Sequence, residues 1–211
     1  MLPPLVLARR RVPDQAGGLP KTQQALAYAV RAHSGQRRQS DGAPFIEHPI
    51  EVAALLCDAG APDHVIAAGL LHDTIEKTTT EAANLDARFG PRVTRLVLDV
   101  TEDEEIPDHD ERKAAARDQA ADAGDEALMI FAADKVSKVR ELQVEVATAR
   151  RRQTTITSQS RRQRFAHYDE CLHLLEHHLP GSALVADLRD EIERVPDAFT
   201  SERRASRTMR S

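Results

Sequence analysis

An all-α fold is what this sequence predicts, on three observations. Apolar residues recur three and four positions apart through most of the chain, which is the spacing of one helix face. No segment alternates convincingly between apolar and polar residues, as a half-buried strand would, and no repeat of fixed period is present. Glycine and proline mostly stand at the ends of the periodic segments, where they stop and start helices.

Residues 1–20 hold Pro3, Pro4, Pro13, the pair Gly17-Gly18 and Pro20, and read as an irregular lead-in. From Lys21 a helix is expected, striped by Ala25, Leu26, Ala29 and Val30 and ending near His33-Ser34-Gly35. QRRQSDGAPF is a loop by its Gly, Pro, Ser and Asp content. A helix is expected to begin at Pro49, with His48 at its N-cap, a stripe of Val52, Ala53, Leu55, Leu56 and Ala59, and Gly60 as its stop. Asp63 to His72 is apolar on nearly every side, which means burial.

Glu81 to Phe89 is a further helix, closed by Gly90. Pro91 restarts the chain, and Val93, Leu96, Val97 and Val100 repeat at helical spacing. The acids Asp99, Glu102, Asp103, Glu104, Glu105, Asp108, Asp110 and Glu111 then read as a solvated, mobile loop. Glu111 to Ala121 is helical and leads to Gly124. EALMIFAADKVSKVREL is apolar enough at its start to be buried all round. Residues 150–164, rich in Arg, Thr, Ser and Gln, read as a loop or frayed helix. Phe165 to Leu179 and Ala183 to Val195 are the last helices, separated by Pro180-Gly181. The tail SERRASRTMRS reads as disordered, and Arg150-Arg151-Arg152 and Arg161-Arg162 read as solvated charge.

Composition excludes several classes of function. The 211 residues suit one domain with tails. A net charge of -5 and only 3% aromatic residues, with no Trp, argue against a nucleic-acid binder. No apolar run approaches the ~20 residues of a membrane span, and the positive charge of MLPPLVLARR follows its apolar start, the reverse of a secretory signal. Cys57 and Cys171 form no CxxC pair and read as core residues of a cytoplasmic protein.

Three places put ionisable groups where the pattern says core: His48 before Pro49, His72-Asp73 at the end of the buried helix, and Asp134 after Ala127 to Ala133. A buried His or Asp costs on the order of several kcal/mol unless something satisfies it. Each alone has a plain structural explanation, as a cap or as half of an ion pair. Together, two His and two Asp make most of an octahedral shell with room for water, and mixed N and O ligands suit Mn²⁺, Fe²⁺, Zn²⁺ or Mg²⁺.

His48, His72-Asp73 and Asp134, in that order, resemble the H…HD…D pattern of HD-domain phosphohydrolases. AHSGQRRQSDGAPFIEHPIEVAALL, GLLHDTIEKT, RFGPRVTRLVLDVTED and AADKVSKVREL resemble the RelA/SpoT hydrolase domain, over about Ala27 to Leu175. The chain is similar to the stand-alone members of that family, the small alarmone hydrolases, without the synthetase and regulatory domains of the long ones. The resemblance implies an HD-domain helical bundle over 21–180, between the lead-in 1–20 and a terminal helix with basic tail, 181–211. It implies one Mn²⁺ ion and removal of the 3′-diphosphate of guanosine tetra- or pentaphosphate, giving GDP or GTP and pyrophosphate. His48, His72, Asp73 and Asp134 match the metal ligands. Glu76 matches the acid that activates or orients the attacking water; on a helix continuing from His72 it would face the same way. Arg38, Lys113, Arg164 and Tyr168 match residues that meet the nucleotide. A homodimer, and a toxin-like synthetase as functional counterpart, stay open.

Two positions depart from the family pattern. Lys77 stands where HDxxED has its last Asp, and Lys138 stands where Asn follows the last metal Asp by four residues. Gln39 replaces a common lysine and Asp41 is an extra residue of the first loop. At i,i+4 spacing, Asp73 and Lys77, and Asp134 and Lys138, can pair on a helix. Three readings follow: an active hydrolase in which Lys77, counted with Glu76 among the catalytic residues, and Lys138 meet substrate phosphates; an HD phosphohydrolase with another nucleotide substrate; or a degenerate module that binds nucleotides without turnover.

Overall fold

The structure, a computed structural model, describes residues 18–152 and 158–195, and the backbone alone at 149–152 and 158–162. The basic tail, most of the lead-in, and the side chains of the Arg150-Arg151-Arg152 and Arg161-Arg162 clusters lie outside what it describes. The described chain is all-α, as expected: α1 Pro20–Ala32, α2 Glu47–Asp58, α3 Asp63–Leu71, α4 Thr74–Lys77, α5 Ala82–Phe89, α6 Pro91–Asp99, α7 His109–Ala123, α8 Asp125–Arg152, α9 Ser158–His178 and α10 Ala183–Glu193. One isolated antiparallel bridge, Arg37 to Pro44, pins the first loop.

Two helices organise the bundle. α3, whose residues Val65 to Leu71 are all buried, packs on α1, α2, α6 and α8. The long α8 packs in turn on α2, α7, α9 and α10. Gly69 sets how closely α2 approaches α3: a Cβ there would meet Leu56 Cδ1 at 2.4 Å, inside contact distance for a fully buried leucine. α1 has no cap of its own. Asp63, at the start of α3, accepts hydrogen bonds from Thr22 N (2.9 Å), Thr22 Oγ1 (2.7 Å) and Lys21 N (3.1 Å), satisfying orphan donors of the neighbouring helix.

Several boundaries move from where the sequence put them. α2 begins at Glu47, so His48 lies inside the first turn rather than at the cap; proline fits there because first-turn N–H groups have no intrahelical partner. α3 stops at Leu71, and His72 and Asp73 form a turn before α4. Thr74 Oγ1 donates to Leu71 O at 2.6 Å and His72 Nδ1 meets Gly69 O at 2.8 Å, side-chain bonds that replace the helical ladder. Glu76 is therefore not on a continuation of the His72 helix. The acidic connector is also more ordered than a solvated loop: Glu102 pairs with Lys113 and, at 3.5 Å, with Arg112, while Asp108 caps α7 through Asp110 N and Glu111 N. α9 extends seven residues ahead of Phe165, into the segment read as loop or frayed helix.

Candidate metal centre

The first turn of α2, the end of α3 and the middle of α8 bring His48, His72, Asp73 and Asp134 together. His48 Nε2 lies 3.2 Å from His72 Nε2, 3.1 Å from Asp134 Oδ1 and 3.5 Å from Asp73 Oδ2. His72 Nε2 lies 3.4 Å from Asp73 Oδ2 and 3.7 Å from Asp134 Oδ1. Ligand atoms of His48, His72 and Asp134 lie within 4.8 Å of one another. Both imidazoles and Asp73 are buried.

The surrounding hydrogen bonds settle the tautomers of the neutral rings. Ser137 Oγ donates its proton to Glu51 Oε2 at 2.8 Å, so at 2.9 Å from His48 Nδ1 it can only accept. His72 Nδ1 faces a carbonyl oxygen, that of Gly69, which also only accepts. Each neutral ring therefore carries its proton on Nδ1 and turns the lone pair of Nε2 inward. Asp73 Oδ2 and Asp134 Oδ1 are buried there without hydrogen-bond partners. Four acceptors face one another with no donor among them. Two imidazole nitrogens and two carboxylate oxygens with outer partners already fixed fit a divalent cation.

Burial and charge act on the two imidazoles in opposite directions. Burial, then the Lys138 ammonium, push His48 down to about 4. Burial would lower His72 too, but Asp73 and Asp134 outweigh it and leave that ring raised. Burial opposes ionisation of Asp73, yet the two imidazoles, Lys77 and Lys138 hold it well below the carboxylate range. Asp134 is likewise held down, with Lys135 as the chief opponent of its desolvation.

The other expected site residues take definite partners. Lys77 Nζ bridges Asp73 Oδ1 at 3.2 Å and Glu76 Oε1. Lys138 does not take Asp134; it lies over the Phe45 ring, 5.6 Å from the centroid, and 3.9 Å from Glu141 Oε2. Lys135 takes Asp134 instead, Nζ to Oδ2 2.7 Å. Arg38 is buried and forks onto Asp41 at 3.2 and 2.6 Å, with Glu47 at 3.4 Å, so the extra loop residue is its main partner. Lys113 is held by Glu102 and Arg164 by Glu145 at 2.8 Å. Tyr168 is buried, and burial pushes its phenol up to about 12.

Glu51, Ser137 and Lys135 escaped sequence reading. Glu51 sits three residues after His48, one turn along the same helix, which is the one signal that could have found it. His33 is a further buried imidazole: its Nδ1 meets Gln36 Oε1 at 2.8 Å, and Gln36 Nε2 donates to Lys77 O at 2.6 Å, bracing the backbone that carries Lys77.

The HD domain family model matches residues 25–167. Human guanosine-3′,5′-bis(diphosphate) 3′-pyrophosphohydrolase MESH1 is 41% identical over 122 residues, which cover 56% of this chain and 68% of that protein. A GTP pyrophosphokinase rsh of Brucella abortus is 46% identical over 77 residues, 36% of this chain but 10% of that one. The solved structure of a metazoan orthologue of SpoT that hydrolyses ppGpp superposes with a TM-score of 0.70 at 29% identity, over 82% of this chain and 94% of its own.

Proposed function

The chain belongs to the HD-domain family, and on that premise we propose that it removes the 3′-diphosphate of guanosine tetra- or pentaphosphate, giving GDP or GTP and pyrophosphate. The observation that carries this reading is the convergence of His48, His72, Asp73 and Asp134 as acceptors with no donor. The similarity to pyrophosphohydrolases of guanosine-3′,5′-bis(diphosphate) over 68% of the human relative's length supplies the substrate class.

His48, His72, Asp73 and Asp134 are the residues that would hold a divalent ion, in our reading Mn²⁺. Such an ion would acidify a water and polarise the scissile phosphoryl group. Glu76 would accept a proton from the attacking water as its oxygen adds to phosphorus. The P–O3′ bond breaks, and Glu76 would return the proton it took to the departing 3′ oxygen. Lys77 holds Glu76 before substrate binds; a phosphate oxygen offers it another partner and releases the carboxylate. Arg38, Lys113, Lys138 and Arg164 neutralise the remaining phosphate charge, and Tyr168 packs at the nucleotide end. No described helix is long and apolar enough to cross a membrane. Two cysteines outside any disulfide suit our assignment to the cytoplasm. Neither a homodimer nor a synthetase counterpart enters this reading.

One observation favours a second reading. Lys77 neutralises Asp73 and Glu76 together, as it would in a module that binds nucleotide without turnover. Incubation with guanosine tetraphosphate and Mn²⁺, with GDP and pyrophosphate followed by chromatography and Asp73→Ala alongside, separates them. Metal-dependent release by wild type alone is expected. Nucleotide binding without release by either protein would move the module to first place. Lys77→Asp should weaken substrate binding if the lysine meets phosphate, and raise the rate if it only blocks.

A further inference from the structure

The buried side chains behind His48 form a chain with a direction. Arg140 NH1 donates to Glu51 Oε1 at 3.1 Å, Ser137 Oγ donates to Glu51 Oε2 at 2.8 Å, and His48 Nδ1 meets Ser137 Oγ at 2.9 Å. Glu51, Ser137 and His48 are all buried, so water does not compete for these bonds. Arg140 is anchored from beyond: its Nε donates to Glu191 of α10 at 2.8 Å, and Glu191 also accepts from Gln143 and Arg194.

A guanidinium has donors only. Glu51 must meet it as an acceptor, and its second oxygen accepts the one proton of Ser137. The serine lone pair is then all that His48 Nδ1 can find, and the ring proton stays on Nδ1. The opposite tautomer would aim an N–H from His48 Nε2 at Asp134 Oδ1, 3.1 Å away, and His72 Nε2, 3.2 Å away. Either hydrogen bond would close the centre on itself and take His48 Nε2 and one further ligand atom out of use.

We propose that Glu51 and Ser137 are positioning residues that hold His48 in the tautomer able to ligate a metal, with Arg140 setting the direction of the chain. The proposal rests on the metal-centre reading above, but its structural half stands without metal. Glu51→Gln keeps shape and reverses polarity: the amide oxygen stays with Arg140, the NH₂ turns to Ser137, and the serine O–H turns to donate to His48 Nδ1, which then accepts and leaves the ring proton on Nε2.

The experiment has two readouts. Titration of metal-free protein with Mn²⁺ should show Glu51→Gln and Ser137→Ala about 10–100-fold weaker than wild type, with Ser137→Thr, which keeps the hydroxyl, close to wild type. Imidazole ¹⁵N NMR of the metal-free proteins should show His48 protonated on Nδ1 in wild type and on Nε2 in Glu51→Gln. Unchanged tautomer in Glu51→Gln overturns the proposal, whether affinity falls or not, as does wild-type Mn²⁺ affinity in both variants. A wild type that binds no Mn²⁺ overturns the metal reading, and the NMR comparison still decides the direction of the chain.

Discussion

Where α2, α3 and α8 meet, two imidazole nitrogens and two carboxylate oxygens face one another without a donor. Around the rim each cation is already held: Arg38 by Asp41, Lys113 by Glu102, Lys138 by Glu141 and Arg164 by Glu145. The inner site is left unsatisfied by the protein and suits a cation. The rim is satisfied within the protein, so in the proposed reaction phosphates would exchange for carboxylates and each contact would yield only the difference between two anions. Lys77 is where the two regions touch, with Asp73 of the centre on one side and Glu76 on the other.

The contrast breaks most severely at Asp134, whose two oxygens face the centre and Lys135. Asp134→Asn is expected to weaken Mn²⁺ binding at least ~100-fold. It should also destabilise the metal-free protein by about 3 kcal/mol, because Lys135 is left buried without its counter-charge. Metal titration and urea unfolding check the two halves; wild-type urea resistance would show that Lys135 does not depend on Asp134.

Gly69→Ala acts on the inner region through distance alone. The added methyl meets Leu56 in the α2–α3 contact, and a cost of about 2 kcal/mol is expected in urea unfolding. Mn²⁺ affinity should fall with it, since His48 lies on α2 and His72 follows directly on α3, the two helices being forced apart.

His167 sharpens the comparison on the cationic side. Its Nδ1 lies 3.1 Å from Arg117 NH1, and burial, Lys135, Lys113 and Arg117 push it down to about 3. The fold thus holds this ring neutral while the unfolded chain protonates near pH 6.5. Stability from this group is complete above that value and is lost as pH falls toward 3. After allowance for partial exposure, the loss at pH 5 is about 1 kcal/mol. Urea unfolding at pH 7 and pH 5 should show a smaller difference for His167→Asn than for wild type; an equal difference would place the acid sensitivity elsewhere.

The smallest effect belongs to the rim itself. Glu102→Gln removes the anion on Lys113 and should lower KM for guanosine tetraphosphate a few-fold with kcat unchanged, since a surface pair is worth about 0.2–1 kcal/mol. A raised KM would mean that Glu102 positions the lysine rather than competes for it.

The legible part of the site was the part with contrast. His48, His72, Asp73 and Asp134 interrupt apolar runs, and an ionisable group amid a core pattern is conspicuous in one dimension. The same reasoning could not see that His72-Asp73 leaves the helix, because Thr74 and His72 turn their side chains onto backbone carbonyls. Nor could it choose Lys135 over Lys138 as partner of Asp134. Both spacings are open to a lysine of that length, and the choice lies in the packing around Phe131 and Phe45.

The sequence by itself determined the helical class, the stripes that pack α3 and α8 into the middle, and the four residues able to ligate a metal. These follow from local periodicity and residue chemistry. Tertiary structure alone decided which way the imidazole protons point and brought Glu102 to Lys113 and Glu145 to Arg164. Ser137 and Glu51 are separated by 86 positions, and Ser40 and Glu141 by 101. Bonds of that kind depend on segments distant in the chain meeting in the fold, and nothing in the order of neighbouring residues encodes their direction.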